Sequence, residues 1–206
     1  MIYTLTQSLL QSWVYIGNCH EGCEEDAFDS FLRALRREKE PQSPESLNGM
    51  MFERDVYTIS DGGDIDDTSV DWLPGASKVA GYLGGAQRQV FASRRLESHG
   101  LTVEIHGRFD ALKAGTIYDI KYLNRSFGST YLPGKYFTSP QHPIYFFLEP
   151  CAEKFVYLVS DGMDLYTETY SRNETKPASD LVDEFFDYLI SADLIDIYKN
   201  FWRKKA

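Results

Sequence analysis

Cysteine is scarce in this chain: three residues in 206, at positions 19, 23 and 151. So small and odd a set excludes a disulfide framework and fits a reducing compartment. Long apolar runs are missing too. None exceeds five residues (Ile144 to Leu148 is one), far short of the ~20 that a membrane-spanning helix takes. The start, MIYTLTQSLLQSW, has neither a basic residue nor a continuous apolar stretch and does not read as a signal peptide. The expectation is a cytoplasmic protein with no membrane partner. Internal repeats, low-complexity tracts and linker-like stretches are also absent, so residues 1–206 read as a single domain. What the chain does have is apolar and aromatic matter, 43% and 15% of residues. A chain of this length buries about 70% of its unfolded surface, so its core needs no staple.

Acids outnumber bases, 31 to 21, for a net charge of −10. Taken whole, that balance opposes encounter with a polyanion. The charge is unevenly placed, however. Residues 1–86 carry −9, residues 146–206 carry −5, and residues 87–145 form a basic island of +4 that also holds His99, His106 and His142.

Apolar periodicity predicts a helix over 5–16, where Leu5, Leu9, Leu10, Trp13 and Ile16 share a face, and another over 26–39. A third enters through Ser43 and Pro44 and runs to Tyr57. A long fourth covers 76–98, interrupted by Gly81, Gly84 and Gly85. The period then changes to two. LTVEIHGRFD (101–110) and TIYDIKYL (116–123) read as strands joined by a turn at 113–115, followed by a loop over 126–134. Ser139-Pro140 opens a helix towards Leu148. Residues 154–162 and 164–171 make a second strand pair around Asp161-Gly162, and 180–202 is an aromatic-rich helix broken near Ala192-Asp193. This order predicts an α/β domain, a central mixed sheet flanked by helices.

Chemistry concentrates in the basic island. Asp119 and Lys121, two apart on a strand, project from one face, while Tyr118, Ile120 and Tyr122 project from the other. Asp110 closes the preceding strand, and a hairpin between the two brings it towards Asp119. Two carboxylates with a backbone carbonyl between them make a hard-oxygen site that suits Mg²⁺ or Mn²⁺. Such an ion neutralises phosphodiester charge and supplies hydroxide near neutral pH. Lys121 beside it would orient the attacking water and offset developing charge. Glu53, on the third helix, is a further carboxylate for the metal, directly or through water.

The order Glu53, Gly107-x-x-Asp110, Asp119-Ile120-Lys121, Gln141-x-x-x-Tyr145 resembles the PD-(D/E)XK nuclease superfamily, in its RecB-like and phage exonuclease branch. The resemblance spans about residues 49–160, with the terminal helices packed on that core. It implies a restriction-endonuclease-like fold and a divalent-metal-dependent deoxyribonuclease, an exonuclease of phage-type DNA recombination or processing. It also implies site roles. Asp110, Asp119 and the Ile120 carbonyl would hold the metal, Lys121 would be the catalytic lysine, and Glu53 the first acid. Gln141 and Tyr145, one turn apart on a helix, would line the site and position the DNA. Arg94, Arg95, Arg125, Lys135 and His142 are the candidates for phosphate contacts. Relatives of this kind leave room for a homo-oligomer and for a recombinase partner. Some carry a four-cysteine iron–sulfur cluster, which three cysteines placed two early and one late do not supply.

Other readings compete. A D-x-K pair alone is an ordinary edge-strand ion pair, and a silent DNA- or protein-binding module, or a structure-specific or restriction-type endonuclease, would share the same fold. Cys19-His20-x-x-Cys23 lacks a fourth zinc ligand. The acidic run 61–71 lacks the ordered spacing of a calcium loop, and the Phe185-to-Trp202 stripe reads as core or oligomer contact.

Overall fold

Two apolar faces of one sheet organise the fold. The computed structural model describes residues 1–39, 41–65, 70–124, 127 and 133–204. Within them lie six strands, β1 (Ile2–Thr6), β2 (Gln87–Ser98), β3 (Leu101–Lys113), β4 (Thr116–Tyr122), β5 (Lys154–Ser160) and β6 (Leu165–Ser171). Seven helices accompany them: α1 (Gln7–Ile16), α2 (Glu24–Leu35), α3 (Pro44–Ser60), α4 (Leu73–Leu83), α5 (Gln141–Leu148), α6 (Ala178–Ser191) and α7 (Ile195–Phe201). The sheet runs β1-β3-β4-β5-β6, with β2 paired to the other side of β3. β1–β3 and β4–β5 are parallel and the remaining pairs antiparallel. The protein is therefore α/β with a mixed sheet, as the order of periodicities predicts.

β5 shows why the layers form. Its residues KFVYLVS are buried from Phe155 onward, the near-continuous apolar reading of a strand covered on both faces. Phe155, Tyr157 and Val159 join the larger core with residues of α1, α2, α5, α6 and α7, whereas Val156 and Leu158 join the smaller core under α3 and α4. The C-terminal aromatic stripe belongs to the larger core, where Phe185, Phe186 and Tyr198 are fully buried. The break expected near Ala192-Asp193 separates α6 from α7, with Asp193 at φ +58°.

Several boundaries differ from expectation, among them that of β3, which runs on to Lys113 and leaves Asp110 inside the strand rather than closing it. Residues 2–6 are a strand, and Leu5 is buried on the sheet; α1 starts only at Gln7, where the Thr6 hydroxyl accepts from the Leu9 N–H at 3.3 Å. The predicted helix over 76–98 ends at Leu83. Gly84-Gly85 stops it, with Gly85 at φ +74°, and QRQVFASRRLES becomes β2 along the whole of β3. The 26–39 helix is α2, shifted to Glu24–Leu35. Residues 66–69 of the acidic run and most of the 126–134 loop lie outside the described residues.

At one level the alternation of β2 and β3 slips. Phe109 and Leu112, three apart, both reach the larger core while Ala111 joins the smaller. Opposite, the Arg88 guanidinium reaches the Tyr57 carbonyl of α3, whereas Val90 packs on the larger core. Between Arg88 and Val90, Gln89 has φ +50°, and between Phe109 and Ala111 stands Asp110. Left-handed backbone at a non-glycine residue within a strand is strain of the kind that clusters at functional sites.

Candidate active site

Pairing of β3 with β4 runs from Lys113↔Thr116 to Ala111↔Tyr118 and stops. The next step of that register would set Asp110 opposite Asp119, and it is there that the strands part. Asp110 bridges the gap with its side chain: the Ile120 N–H donates to its Oδ2 at 2.8 Å. A residue's N–H and C=O leave a strand on the same edge, so the Ile120 carbonyl faces the same opening. Asp119 is 3% exposed. Its Oδ1 accepts from the Gln141 amide, and its Oδ2 lies 2.8 Å from the Lys121 ammonium while accepting no hydrogen bond of good geometry.

Glu53 reaches this cluster from α3. Its Oε1 is 2.7 Å from the Tyr57 hydroxyl and accepts from the Gln89 amide at 2.5 Å. Tyr57 also lies 3.0 Å from the Asp110 carbonyl, so its one proton serves either acceptor, and it accepts from Gln89 at 2.8 Å. The strained Gln89 thus ties α3 to the kink in β3. Neither Tyr57 nor Gln89 stands out in the sequence. A left-handed backbone is signalled by glycine, and glutamine gives no such sign.

Three acids and one ammonium share this small volume. Burial, then Asp119 and Glu53, raise the Asp110 carboxyl well above the usual carboxylate range, against the Ile120 N–H and Lys121. At Lys121 burial opposes the charge, but Asp119, Asp110 and Glu53 outweigh it and raise the pKa. The excess of negative charge over a single cation is the donor chemistry of a divalent-ion site. Asp110, Asp119 and the Ile120 carbonyl offer the hard oxygen donors that such an ion takes. Tyr57 and Gln89 occupy Glu53 Oε1, and among the described residues no group of three or more His, Cys, Asp or Glu side chains is arranged to hold a metal.

α5 closes the back of the site. Gln141 is 7% exposed and reaches Asp119, while the Tyr145 hydroxyl donates to the Arg108 carbonyl at 3.0 Å. The helix sits close on β3 because residue 107 is glycine. A Cβ there would come within 2.6 Å of Leu148 Cδ1 and 2.8 Å of Tyr145 Cε1. On the open side, Lys121 and Gln141 form the floor of a cleft of about 690 Å³, walled by α1 and by residues 135–139.

The basic candidates do not gather here. Arg94 and Arg95 pair with Ile105 and Glu104, five or six residues from Asp110 along β3, about 17–20 Å. The Arg94 guanidinium donates to the Phe147 carbonyl at 3.0 Å, and Arg95 pairs with Glu104 at 3.1 Å. Arg125 lies outside the described residues. Lys135 does line the cleft. His142, expected at a phosphate, instead packs into the core and away from Asp119: it is 4% exposed, stacked on Tyr170 at 4.2 Å with Nδ1 3.2 Å from the Tyr157 hydroxyl. On a helix buried nearly all round, the apolar neighbours decide its direction, not its charge.

Burial lowers the His142 pKa from 6.5 to about 4, against a smaller opposing effect of Glu168. The folded state keeps this ring neutral where the unfolded chain would protonate it. Stability is expected to fall as pH drops from about 6.5 towards 4, by up to roughly 1.4 kcal/mol per pH unit from this residue. Melting temperatures from pH 7.5 to 4 should show a shallower acid limb in His142→Phe; parallel limbs would contradict it.

No family model matches the chain, and no curated protein does. Solved structures share the fold. SSO0001 is one of them. That likeness has a TM-score of 0.52 at 16% identity and covers 92% of this chain and 76% of SSO0001. Scheffersomyces stipitis Rai1, in complex with (3'-NADP)⁺ and calcium ion, matches at a TM-score of 0.39 and 13% identity, over 92% of this chain and 60% of Rai1. Likeness at such identities concerns the fold alone, and no helix among the described residues is long and apolar enough to cross a membrane.

Proposed function

We propose that the chain is a divalent-metal-dependent deoxyribonuclease of the PD-(D/E)XK superfamily, an exonuclease of its RecB-like and phage branch. The observation that carries this reading is the register of the β3–β4 hairpin. Continued one step past Ala111↔Tyr118, it would set Asp110 opposite Asp119. The strands part there, the Asp110 carboxylate takes the Ile120 N–H, and the Lys121 ammonium lies 2.8 Å from Asp119.

Asp110, Asp119 and the Ile120 carbonyl would hold Mg²⁺ or Mn²⁺, which supplies Lewis acidity and a water of lowered pKa. The chain's own groups do the rest. The Lys121 ammonium faces the site as a fixed positive charge, placed to meet the negative charge that develops on the phosphate. Gln141 holds Asp119 by one oxygen and the Lys121 ammonium stands at the other, which is buried. Glu53, fixed by Tyr57 and Gln89, stands behind Asp110 as a second negative charge and orients groups at the kink rather than ligating. α5 and the aromatic rings of Phe109, Tyr145 and Tyr157 exclude water from the rear, which strengthens each of these interactions.

Outer partners of this kind matter about 10–100-fold in metal affinity or activity. Gln89→Gly is therefore expected to lower hydrolysis by about that factor. Its stability should stay within about 1 kcal/mol, because glycine relieves a left-handed residue that costs about as much. Full activity in this variant would remove Gln89 and Glu53 from the account.

Incubation of the protein with linear and closed-circular DNA in Mn²⁺, Mg²⁺ or EDTA tests the proposal. Metal-dependent loss of linear DNA supports it. Loss of the circle shifts the reading to an endonuclease. DNA bound but intact in every condition overturns hydrolysis in favour of a silent binding module.

A further inference from the structure

We infer that the cleft between α1 and residues 135–139 seats a single strand of DNA and excludes a duplex, with the uncharged polar stripe of α1 as the strand-binding surface. The inference rests on the nuclease reading, whose strand choice nothing above decides.

Position comes first. The floor of the cleft is Lys121 and Gln141, the two side chains that contact Asp119. Anything lying in it has its backbone against the proposed reacting groups. Composition is the second observation. The chain holds 31 acids, yet among the described residues none lines this cleft, where Lys121, Lys135 and His20 stand with amides and hydroxyls. α1 itself, QSLLQSWVYI, has no charged residue at all. An amphipathic surface helix ordinarily turns charges to water. This one turns Gln7, Gln11 and Tyr15 into the cleft at a spacing of four, one above another on a single face. Amides make neutral donors and acceptors for phosphate, sugar and base edges. Tyr15, 47% exposed, offers a ring on which any base stacks.

Size and stiffness give strandedness. About 690 Å³ lies within the ~300–1,000 Å³ of small-molecule sites, room for one or two nucleotides rather than for two paired strands. The wall opposite α1 is held in place. The Glu168 carboxylate accepts from the Gly134 and Tyr136 N–H groups at 3.2 and 3.1 Å, and Tyr136 stacks on Tyr157 at 4.3 Å. A strand must therefore leave its complement before its phosphodiester reaches Lys121.

The test is binding of fluorescein-labelled (dT)₁₂ and of a 12-base-pair blunt duplex to the full chain, by anisotropy at one fixed salt concentration in EDTA. Cleavage of the same probes in Mn²⁺ follows. The single strand should bind at least tenfold tighter than the duplex. Gln11→Glu and Tyr15→Ala should each weaken it about tenfold with unchanged circular dichroism, while Lys154→Glu, at the far end of β5, should not. Equal binding of strand and duplex, or wild-type binding by both α1 variants, overturns the inference. Cleavage of the duplex unaffected by the α1 variants overturns it too, and leaves the nuclease standing. Selective strand binding without cleavage in Mn²⁺ keeps the cleft and overturns the nuclease.

Discussion

Lys121→Met is expected to lower DNA hydrolysis about a thousandfold while the chain still folds. The methionine stem keeps most of the lysine's apolar contacts and removes only the ammonium. Removing one preorganised donor aimed at developing charge costs about 10²–10³ in turnover, and a full charge beside a buried carboxylate lies at the upper end of that range. The ion pair is also structural. Asp119 is 3% exposed, and without Lys121 its Oδ2 faces no cation. Breaking a fully buried pair costs about 3–5 kcal/mol. The Lys121 side chain is 32% exposed, so water partly replaces it and a loss of about 1–3 kcal/mol follows. Single-turnover cleavage of linear DNA with thermal melting in parallel reads both effects. Activity within tenfold of wild type would show that the ammonium does not act on the phosphate.

Asp110→Asn should have the opposite signature: inactive and more stable. Burial, Asp119 and Glu53 raise the Asp110 pKa in the folded state. Above the unfolded value of about 3.9 the unfolded chain therefore gives up its proton first. Stability drains away as pH rises, until the folded group has titrated as well. Asparagine has no such proton to lose. Its carbonyl can still accept from the Ile120 N–H, and its amide can donate towards Asp119. The expected gain near pH 8 is about 1–2 kcal/mol, in the range of stabilising substitutions at strained sites, or about 2–8 °C in melting temperature for a chain of this size. A fall in melting temperature at pH 8 would mean that Asp110 is not held among like charges.

The sheet and much of the site are legible in the sequence because period-two alternation is a local signal. DIK on a strand fixes which face Asp119 and Lys121 share, whereas what stands opposite depends on the turn. That turn is the two residues Ala114-Gly115, both at positive φ, rather than the expected three, and it sets the register. Pro44 and Ser43 likewise mark the start of α3, where the Ser43 hydroxyl accepts from the Ser46 N–H. β1 is hidden because IYTLT runs straight into α1, and Leu5 falls in phase with the helical leucines. β2 is hidden because QRQVFASRRLES is an edge strand whose arginines find partners only after folding, Arg88 on α3 and Arg95 on β3. The same pairing disperses the basic island: Arg94 turns to the end of α5, and Lys113 to the Gly84 carbonyl. Gln89 and Tyr57 are illegible for another reason. Their roles come from a kink shared by two strands, and no spacing along the chain records it. The α1 stripe was in plain view, but apolar periodicity weighs only the buried side of a helix.

The central claim is that Asp110 and Asp119 together hold one divalent ion. Titration of Mn²⁺ into the wild-type chain, Asp110→Asn and Asp119→Asn at pH 8, with free Mn²⁺ read by electron paramagnetic resonance, addresses it without any substrate. The account predicts saturable binding by the wild type and affinity at least tenfold weaker in each variant. Equal binding by all three proteins would contradict it.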